Sequence, residues 1–386
     1  MDEQDRKIDD VQPTGDIESS EQDEPYRWTL GRLAVGMAFL LIGLAIPGYV
    51  YWDLHLKPYS NGRSAGQVAM QAIGMDGMSI DFYLDNLQVD KASIMSGGPP
   101  RDGIPSLRTE LTKKPEGAAD SANPAERPTR VIPISEAEDY DPTMRIVGVE
   151  IGGEARAYPI SILNYHEAVN DELGGVPICV VYCPLCDSVT VVDRRIDGKT
   201  LEFGISGLLK NSNVLLYDRN DMALWSQVLM IAISGPHAGQ SLKHLDGWCI
   251  KPLSKWRQMQ PDSTILSMDT GYPRDYRGSP YEFYFTNDDL MFPVMPEDDR
   301  IAVKKTPVIG IRRGDQVVAV PVKAIQSAEG NTLKVPLGDD HVVLAGSDDG
   351  ELEFVIRSMP SGTNIVHTYW FAWAAYHPDT KIFPKP

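Results

Sequence analysis

The stretch GVEIGGEARAYPISIL, Gly148 to Leu163, is the strongest indication of the fold, because a related stretch occurs later in the chain. It aligns without gaps on GIRRGDQVVAVPVKAI, which begins at Gly310. In both, a Gly-Gly or Gly-Asp pair separates two β-type runs, which is typical of a tight hairpin whose turn needs positive φ. Two further matches follow in the same order, DGKTLEF against DGELEF and WRQMQPDSTIL against WAAYHPDTKIF. The pattern predicts two degenerate sheet-rich repeats, at about 145–268 and 308–381.

The residue pattern of the remaining C-terminal sequence supports the same fold class. From about Val131 onward, short β-branched runs such as PICVVY and SVTVVD alternate with Gly, Asp and Pro. The chain has 386 residues, of which 42% are hydrophobic and 23% charged, so it is long and apolar enough to fold around a core. We therefore expect a mainly β protein (β-rich α+β), in which residues 131–386 form one domain.

An uncharged apolar run, LAVGMAFLLIGLAIPGYVYW, extends from Leu33 to Trp52. Twenty helical residues span roughly 30 Å, enough to cross a bilayer core. A cleaved signal peptide is the alternative, but the run is long for one and no small-residue cleavage site follows it. The sequence thus predicts a single transmembrane helix at 33–52.

The regions around this run complete the predicted organisation. Residues 1–32 contain ten Asp or Glu and four Lys or Arg, and are expected to form a disordered cytoplasmic tail. Residues 53–130 are expected to be a juxtamembrane segment and a Pro/Gly-rich linker. A short N-terminal tail and a large C-terminal domain fit a single-pass protein of the cytoplasmic (inner) membrane with its C-terminal domain extracytoplasmic, that is, in the cell envelope.

Charge and motifs exclude some functions. A formal net charge of −18 argues against nucleic acid as a partner, since phosphates call for Lys and Arg. The sequence has no phosphate loop and no dinucleotide-binding fingerprint, so no nucleotide cofactor is expected. A small-molecule or protein partner is left open.

The stretch VVYCPLCDSVTVVD, Val180 to Asp193, carries two cysteines between two β-type runs. In a thioredoxin-type dithiol the second cysteine lies in a helix, whereas β-branched residues follow Cys186, so this possibility is the least favoured. A strand, C-P-L-C and a second strand instead resemble a knuckle that directs two thiolates at one ion. With His166 as a third ligand, Cys183 and Cys186 would suit copper or zinc. A structural disulfide is the remaining alternative.

Other polar residues could line a pocket near this pair. LEFGISGLLKNSNVLLYDRNDMALWSQ, from Leu201, is dense in small and turn-forming residues, although Asx-turns and loop hydrogen bonds explain many of them. Because the second repeat has no matching cysteines, we expect the chemistry to lie in the first repeat. The pocket candidates are Asn170, Asp171, Tyr182, Ser188, Ser206, Asp218, Arg219, Trp225 and Gln227.

The segments NYHEAVNDELGGVPICVVYCPLCDSVTVV and FGISGLLKNSNVLLYDRNDMALWSQ resemble a bacterial and archaeal family catalogued as a domain of unknown function, with a Tyr-Cys-Pro-Leu-Cys signature. The resemblance extends from about Arg145 to TYWFAWAAYHPDT near the end. It carries over His166, Glu167, Asn170 and Asp171, the residues Tyr182 to Cys186 and Ser188, and Gly204, Ser206, Gly207, Asp218, Arg219 and Trp225 to Gln227. It implies an exported or membrane-anchored protein and no particular activity.

These observations lead to one functional expectation and two alternatives. The expectation is a membrane-anchored extracytoplasmic protein that binds copper or zinc through Cys183, Cys186 and His166, or acts as an envelope oxidoreductase. The alternatives are a non-enzymatic envelope domain with a structural disulfide, and a thiol–disulfide protein.

Overall fold

The computed structural model of the protein describes residues 82–111, 128–346 and 354–385. These residues form a β-rich fold with few and short helices, as the sequence predicts. Three large sheets of nine, eight and five strands account for most of it, together with one two-stranded ribbon.

The strands run in chain order as follows: β1 (Ile94–Ser96), β2 (Leu107–Arg108), β3 (Val131–Pro133), β4 (Arg145–Ile151), β5 (Glu154–Pro159), β6 (Ala168–Leu173), β7 (Val176–Cys183), β8 (Ser188–Asp193), β9 (Arg195–Ile196), β10 (Lys199–Thr200), β11 (Phe203–Lys210), β12 (Asn213–Asp218), β13 (Leu224–Ser226), β14 (Ile231–Ala232), β15 (Lys243–His244), β16 (Trp248–Pro252), β17 (Thr264–Leu266), β18 (Pro307–Arg313), β19 (Gln316–Pro321), β20 (Thr332–Leu337), β21 (Asp340–Ala345), β22 (Phe354–Ser358), β23 (Asn364–Tyr369) and β24 (Lys381–Ile382). The helices are α1 (Ile160–His166), α2 (Leu253–Met259), α3 (Glu282–Phe285), α4 (Val322–Gln326) and α5 (Trp370–Tyr376). Short 3₁₀ turns occupy Lys91–Ser93, Ile134–Glu136 and Glu329–Asn331.

The nine-stranded sheet has the order β2-β6-β7-β8-β23-β18-β19-β24, with β15 also paired to β8. The eight-stranded sheet has the order β20-β21-β22-β16-β4-β5-β17-β3, and the five-stranded sheet β1-β11-β12-β13-β14. Most neighbours are antiparallel, which suits the short connections between successive strands.

The nine-stranded sheet is covered on both faces, which explains why β7 and β8 are almost continuously apolar. Along β7, Val180 and Tyr182 belong to the core that the nine-stranded sheet shares with the eight-stranded sheet. The alternate residues Cys179, Val181 and Cys183 belong to a second core, shared with the five-stranded sheet and α5. The cysteine pair therefore lies between layers and not at the surface.

Two parts of the fold have the same order of elements. The hairpin β4–β5 pairs with β16, which leads into α2 and then into β17, a parallel neighbour of β5. The hairpin β18–β19 pairs with β23, which leads into α5 and then into β24, a parallel neighbour of β19. In each part a tryptophan ring covers a strand glycine, Trp256 over Gly148 and Trp373 over Gly310.

The described residues also extend the domain toward the N-terminus. Residues 53–130 are predicted above to be a juxtamembrane segment and linker, whereas β1 and β2 pair with β11 and β6. Leu107 of β2 is 2% exposed, which makes it part of the core. Of the helices in the described ranges, none has the length and apolarity needed to span a bilayer. The acidic tail 1–32 and the predicted span 33–52 lie outside those ranges.

The close approach of tryptophan to glycine gives a test of the packing beside α5. An ideal Cβ at residue 310 would lie 2.2 Å from Trp373 Cε3, so Gly310→Ala must displace the indole ring. We expect a loss of about 1–3 kcal/mol in the free energy of unfolding, measured by urea denaturation. Gly278→Ala is the control, since nothing lies within 4 Å of its added Cβ. Equal stability of the two variants would contradict this packing.

Candidate active site

The two cysteines lie at the two ends of the turn that joins β7 to β8. Cys183 ends β7 and pairs with Ser188, the first residue of β8. Pro184 follows Cys183, where its fixed φ favours a turn, and the Cys186 amide donates to the Cys183 carbonyl over 3.3 Å. Asp187 has a φ of +46°, which lets the chain turn back into β8. The predicted strand after Cys186 is therefore confirmed, and no helix begins at this cysteine.

An ion pair fixes the outer side of this turn. The Arg145 guanidinium donates two hydrogen bonds to the Asp187 carboxylate, over 3.2 and 3.1 Å. The Tyr182 hydroxyl donates to the same carboxylate over 3.0 Å, and a ring nitrogen of His367 lies 2.7 Å from the Asp187 carbonyl oxygen. Burial alone would raise the pKa of Asp187, but the charges of Arg145 and His367 and the hydrogen bonds from Arg145 and Tyr182 together outweigh it, so this pKa is lowered and the carboxylate stays ionised.

Asn213 donates a hydrogen bond to the Cys186 sulfur, and Gln227 fixes the orientation of the Asn213 amide group. The Gln227 amide nitrogen donates to the carbonyl oxygens of Val181 and Ser188, over 3.2 and 3.0 Å, so its oxygen must face the other way. That oxygen lies 2.7 Å from Asn213 Nδ2, which fixes the amide group of Asn213 with its nitrogen inward. The same nitrogen lies 3.1 Å from Cys186 Sγ, so two main-chain carbonyls determine that Asn213 donates to sulfur.

The β11–β12 turn carries Asn213 into this position. Asn211 and Ser212 have φ values of +49° and +60°, the left-handed pair that a two-residue hairpin turn requires. The turn is buried, and the Asn211 side chain forms hydrogen bonds with two other parts of the chain. Asn211 Nδ2 donates to the Ala375 carbonyl over 3.2 Å, and its oxygen accepts from the Met295 amide over 3.1 Å. Buried Asn213 Oδ1 and Ser212 Oγ make no hydrogen bond within the described residues.

The second half of the chain also contributes to the environment of Cys186. Thr368 of β23 donates from its hydroxyl to the Cys186 carbonyl over 3.2 Å and also stabilises negative charge on the sulfur. The Tyr369 amide donates to the same carbonyl over 2.8 Å. Burial raises the pKa of Tyr376 of α5, and negative charge on Cys186 or Cys183 raises it further. The expectation that chemistry lies in the first repeat alone is therefore too narrow, because both parts build the site.

The pKa values of the two thiols move in opposite directions. Burial would raise the pKa of Cys186, but hydrogen bonds from Cys183, Ser188, Asn213 and Thr368 together outweigh it, so the pKa of Cys186 is lowered. Burial raises the pKa of Cys183, and its hydrogen bond to Cys186 raises it further. The pair therefore favours a Cys186 thiolate that accepts a hydrogen bond from the Cys183 thiol. The Ser188 hydroxyl lies 3.2 Å from Cys186 Sγ and can turn toward the charged sulfur, because Asn213 still satisfies Gln227.

Cys179 provides a comparison within the same strand. It faces the same core as Cys183 and, like Cys183 and Cys186, has no exposed surface. Burial raises the pKa of Cys179 to about 12, so it stays a neutral thiol. Cys249 is also buried, in β16 of the eight-stranded sheet. None of these four cysteines is joined in a disulfide bond.

Glu167 lies close enough to Cys186 for the charges of the two side chains to interact. It follows directly after α1, with a φ of +56°, and its amide donates to the Leu163 carbonyl over 2.8 Å. Left-handed backbone costs a residue other than glycine about 1–2 kcal/mol, so the surrounding structure imposes this conformation. Glu167 is 5% exposed, and burial together with the charge of Cys186 raises the pKa of Glu167 to about 8. Near neutral pH the carboxyl is therefore mostly protonated.

Residues 269–306, which we call the cover segment, contact the cysteine turn through Tyr284. The Tyr284 hydroxyl donates to the Leu185 carbonyl over 2.7 Å, and Lys305 Nζ donates to the Tyr284 carbonyl over 2.6 Å. Tyr281 is close enough to Glu167 and Cys183 that, after burial, their charges raise its pKa further. No local signal in the sequence links the cover segment to the cysteines.

The structure does not bring His166 to the cysteines. Its Nδ1 lies 2.8 Å from the Pro105 carbonyl oxygen, which can only accept, so Nδ1 carries the proton. Its Nε2 lies 2.6 Å from the Tyr276 hydroxyl and accepts from it. Burial lowers the pKa of His166 to about 4, which keeps this neutral form. Within residues 82–111, 128–346 and 354–385, no three His, Cys, Asp or Glu side chains form a group suited to a metal ion. A copper or zinc site with three ligands stays a prediction from sequence.

Three of the predicted pocket residues, Tyr182, Ser188 and Gln227, lie around the cysteine turn. Two others join strands away from it. Asn170 exchanges hydrogen bonds of 2.9 Å with the main chain of Phe203, which ties β6 to β11. Asp171 accepts from Arg156 over 2.5 Å and from the Tyr158 hydroxyl over 2.6 Å, as a buried carboxylate satisfied by its neighbours.

The four remaining pocket candidates belong to the five-stranded sheet and its edge. The Ser206 hydroxyl donates to a main-chain carbonyl of β12 at a bulge in β11. Asp218 accepts from the Trp225 indole nitrogen over 2.9 Å. Arg219 pairs with Asp102 over 2.8 Å near the surface. These contacts stabilise the sheet and do not reach the cysteines.

The molecule is thus a β-rich protein with a buried dithiol between two sheets. Over residues 101–367, more than half of its length, the chain matches the family described as "Protein of unknown function (DUF3179)", and it belongs to that family. The match begins at Arg101, well before the resemblance near Arg145, and includes β2. No curated protein and no solved structure matches the chain. The family supplies no activity, so function must be argued from the site.

The Asn213 contact predicts a shift in the acidity of one thiol. Asn213→Ala removes a donor to a charged sulfur, which is worth about 1.5–3 kcal/mol, or about 1–2 pH units in pKa. We expect the pKa of the reactive thiol to rise accordingly in the pH dependence of iodoacetamide alkylation. Asn364→Ala, in β23 away from the turn, is the control and should leave that pKa unchanged. An unchanged pKa in Asn213→Ala would exclude the amide as a stabiliser of Cys186.

Proposed function

We propose that this protein carries a redox-active dithiol, in which Cys183 and Cys186 interconvert between two thiols and an intramolecular disulfide. Cys186 is the attacking thiolate and Cys183 is the thiol that completes the disulfide. This role makes the protein a thiol–disulfide oxidoreductase, one of the alternatives that the sequence leaves open.

The contrast between Cys186 and Cys179 carries the proposal. Both side chains are fully buried in one apolar core, yet burial raises the pKa of Cys179 while side-chain donors lower that of Cys186. A buried charge is costly unless hydrogen bonds stabilise it. At Cys179 the Val169 amide and the charge of Arg194 do not offset burial, whereas the side-chain donors at Cys186 do, and this difference supports a thiolate at Cys186. A thiolate, and not a thiol, is the nucleophile in disulfide exchange.

The strand after Cys186 does not count against this role once the donors are included. In dithiol proteins with a helix at this position, the helix N-terminus favours the thiolate. Here the Asn213 amide on β12 donates to the Cys186 sulfur, and the hydroxyls of Ser188 on β8 and Thr368 on β23 also lower the pKa of Cys186. The electrostatic requirement is the same, and different elements meet it.

Copper is a second candidate, favoured by the closeness of two soft sulfurs in an apolar core. Cu(I) is a soft ion that thiolates select, so the two cysteines could bind it without His166. Zinc is less favoured, because structural zinc sites need four ligands and His166 is engaged with Pro105 and Tyr276.

We also propose that the predicted span at 33–52 anchors the domain in the cytoplasmic membrane, with the domain on the extracytoplasmic side. Its support is the uncharged apolar run alone. The matching hairpins, strands and tryptophan–glycine contacts of the two parts further support an internal duplication. An envelope location would place the dithiol where disulfide chemistry is common.

Redox titration of the full-length chain tests the proposal. The protein is equilibrated with varied ratios of reduced and oxidised dithiothreitol, quenched in acid and labelled with a maleimide, and the labels are located by mass spectrometry. We expect Cys183 and Cys186 to lose their labels together in one two-electron transition. Cys183→Ser and Cys186→Ser should each abolish it, whereas Cys249→Ser, in another sheet, should preserve it.

Two outcomes would count against the dithiol. A transition that persists in Cys186→Ser would mean that other cysteines are responsible. If no transition occurs and one Cu(I) per chain resists a coloured chelator in the wild type but not in Cys186→Ser, copper binding replaces the redox function.

A further inference from the structure

Both sulfurs of the dithiol are closed off from solvent in this structure. Cys183 and Cys186 have no exposed surface, so neither can meet any disulfide, small or large, unless part of the fold moves. Disulfide exchange requires contact between the attacking thiolate and a disulfide sulfur. The proposed redox function therefore requires that one of the elements around the cysteine turn opens.

Most elements around the cysteine turn are strands held in sheets. Asn213 belongs to β12, which pairs with β11 and β13, and Thr368 belongs to β23, which pairs with β18. Displacing either strand would leave its backbone hydrogen-bonding groups without partners. The exception is the part of the cover segment at residues 279–294, which we call the flap. All residues of the flap are described, and they form no strand and a single helix, the four-residue α3.

The flap has few attachments to the rest of the protein. Tyr284 and Val294 are its two buried residues, and its other residues are half-buried or exposed. Within the described ranges, its hydrogen bonds to other segments are the one from the Tyr284 hydroxyl to the Leu185 carbonyl and two from Lys305. Lys305 Nζ donates to the carbonyls of Tyr284 and Asn287, over 2.6 and 2.8 Å. Segments with so little burial and so few bonds are those that open locally at small cost.

The chain on each side of the flap is attached to the body of the fold. Before the flap, the Tyr276 hydroxyl donates to Nε2 of the buried His166 over 2.6 Å. After it, the Met295 amide donates to Asn211 Oδ1 over 3.1 Å. Gly278 lies next to the flap with open space around its Cα, so its backbone is free to rotate. The flap can therefore move between two fixed points while the sheets stay intact.

The flap lies against the core that contains both sulfurs. Val294 belongs to that core, and Leu290 and Phe292 pack against it. Tyr284 reaches the cysteine turn itself, since its hydroxyl donates over 2.7 Å to the carbonyl of Leu185, between the two cysteines. Release of the flap removes this layer from the turn.

We propose that the flap is a lid, which opens by local unfolding and controls access to the dithiol. The hydrogen bond from Tyr284 to the Leu185 carbonyl is its latch, and Lys305 holds the main chain of the flap in the closed form. This inference rests on the proposed redox function and adds the route by which a disulfide reaches it. In the closed form no disulfide meets the sulfurs, and in the open form both become accessible.

Alkylation of the reduced full-length chain under native conditions tests the lid without relying on redox chemistry. Iodoacetamide is added in excess at fixed pH, the reaction is stopped at intervals, and mass spectrometry measures the modification of each cysteine. When the lid closes faster than alkylation occurs, the rate at each cysteine is proportional to the population of the form in which it is open. The dependence of that rate on urea reports how much surface the opening exposes.

Tyr284→Phe removes the hydroxyl of the latch and keeps the ring. We expect it to speed the alkylation of Cys186 about 2–10-fold, the usual effect of one hydrogen bond, without changing the rates at Cys179 and Cys249. In the wild type the rate at Cys186 should depend less on urea than the rate at Cys179. The reason is that the lid exposes less surface than the opening of a sheet.

Two further variants complete the test. Lys305→Met removes two hydrogen bonds to the flap and should speed the alkylation of Cys186 more than the latch variant does. Tyr140→Phe is the matched control, because it also removes a tyrosine hydroxyl that bonds to the main chain, at Met268, in a different core. It should leave the rate at Cys186 unchanged.

The outcomes separate the lid from the redox function. If Tyr284→Phe leaves the rate at Cys186 unchanged, or raises the rates at all buried cysteines by one factor, the flap is not the route to the dithiol. Oxidation by excess oxidised dithiothreitol should accelerate in Tyr284→Phe by the same factor as alkylation, and an unchanged oxidation rate would also overturn the lid. If the redox titration shows no transition while Tyr284→Phe selectively speeds alkylation of Cys186, the lid stands and the redox function is wrong.

Discussion

The hydrogen bond from the Asn213 amide to the Cys186 sulfur, 3.1 Å long, joins the turn of one sheet to the turn of another. A thiolate in an apolar core needs such donors, and each donor must itself be oriented. Gln227 orients Asn213, two main-chain carbonyls orient Gln227, and the buried turn at Asn211 and Ser212 sets the distance. The packing of the five-stranded sheet against the nine-stranded sheet is thus what gives Cys186 its chemistry.

Four of the ten residues other than glycine that have positive φ within the described ranges lie around the same place. Glu167, Asp187, Asn211 and Ser212 all have positive φ, and all four border the cysteine turn. Asparagine tolerates this conformation, but glutamate does not readily adopt it. Contacts with neighbouring strands hold these residues in this conformation. The conformation costs folding free energy at the place where the side chains meet. Left-handed backbone and a stabilised thiolate in one location are consistent with a site selected for reactivity.

Local patterns in the sequence predicted the β-rich fold class and the strand on each side of the C-P-L-C turn. Cys179 and Cys183 lie on one face of β7, because side chains in a strand alternate by geometry alone. The partners of the cysteines were harder to predict. His166 is near them in sequence, yet it bonds to Pro105 and Tyr276, whereas Thr368 is far along the chain and contacts Cys186. Nothing in a single sequence specifies such non-local contacts, and the pairing of β1 and β2 escaped prediction for the same reason.

The central claim is that Cys186 is a thiolate inside a folded, fully buried core. A pH titration of the ultraviolet absorbance of the thiolate, on the reduced full-length chain and on Cys186→Ser, tests it most directly. We predict that the wild type gains the absorbance of one thiolate at a pH below the usual range for cysteine, and that Cys186→Ser lacks this step. If both proteins show no thiolate until the pH at which ordinary buried cysteines ionise, the account is contradicted.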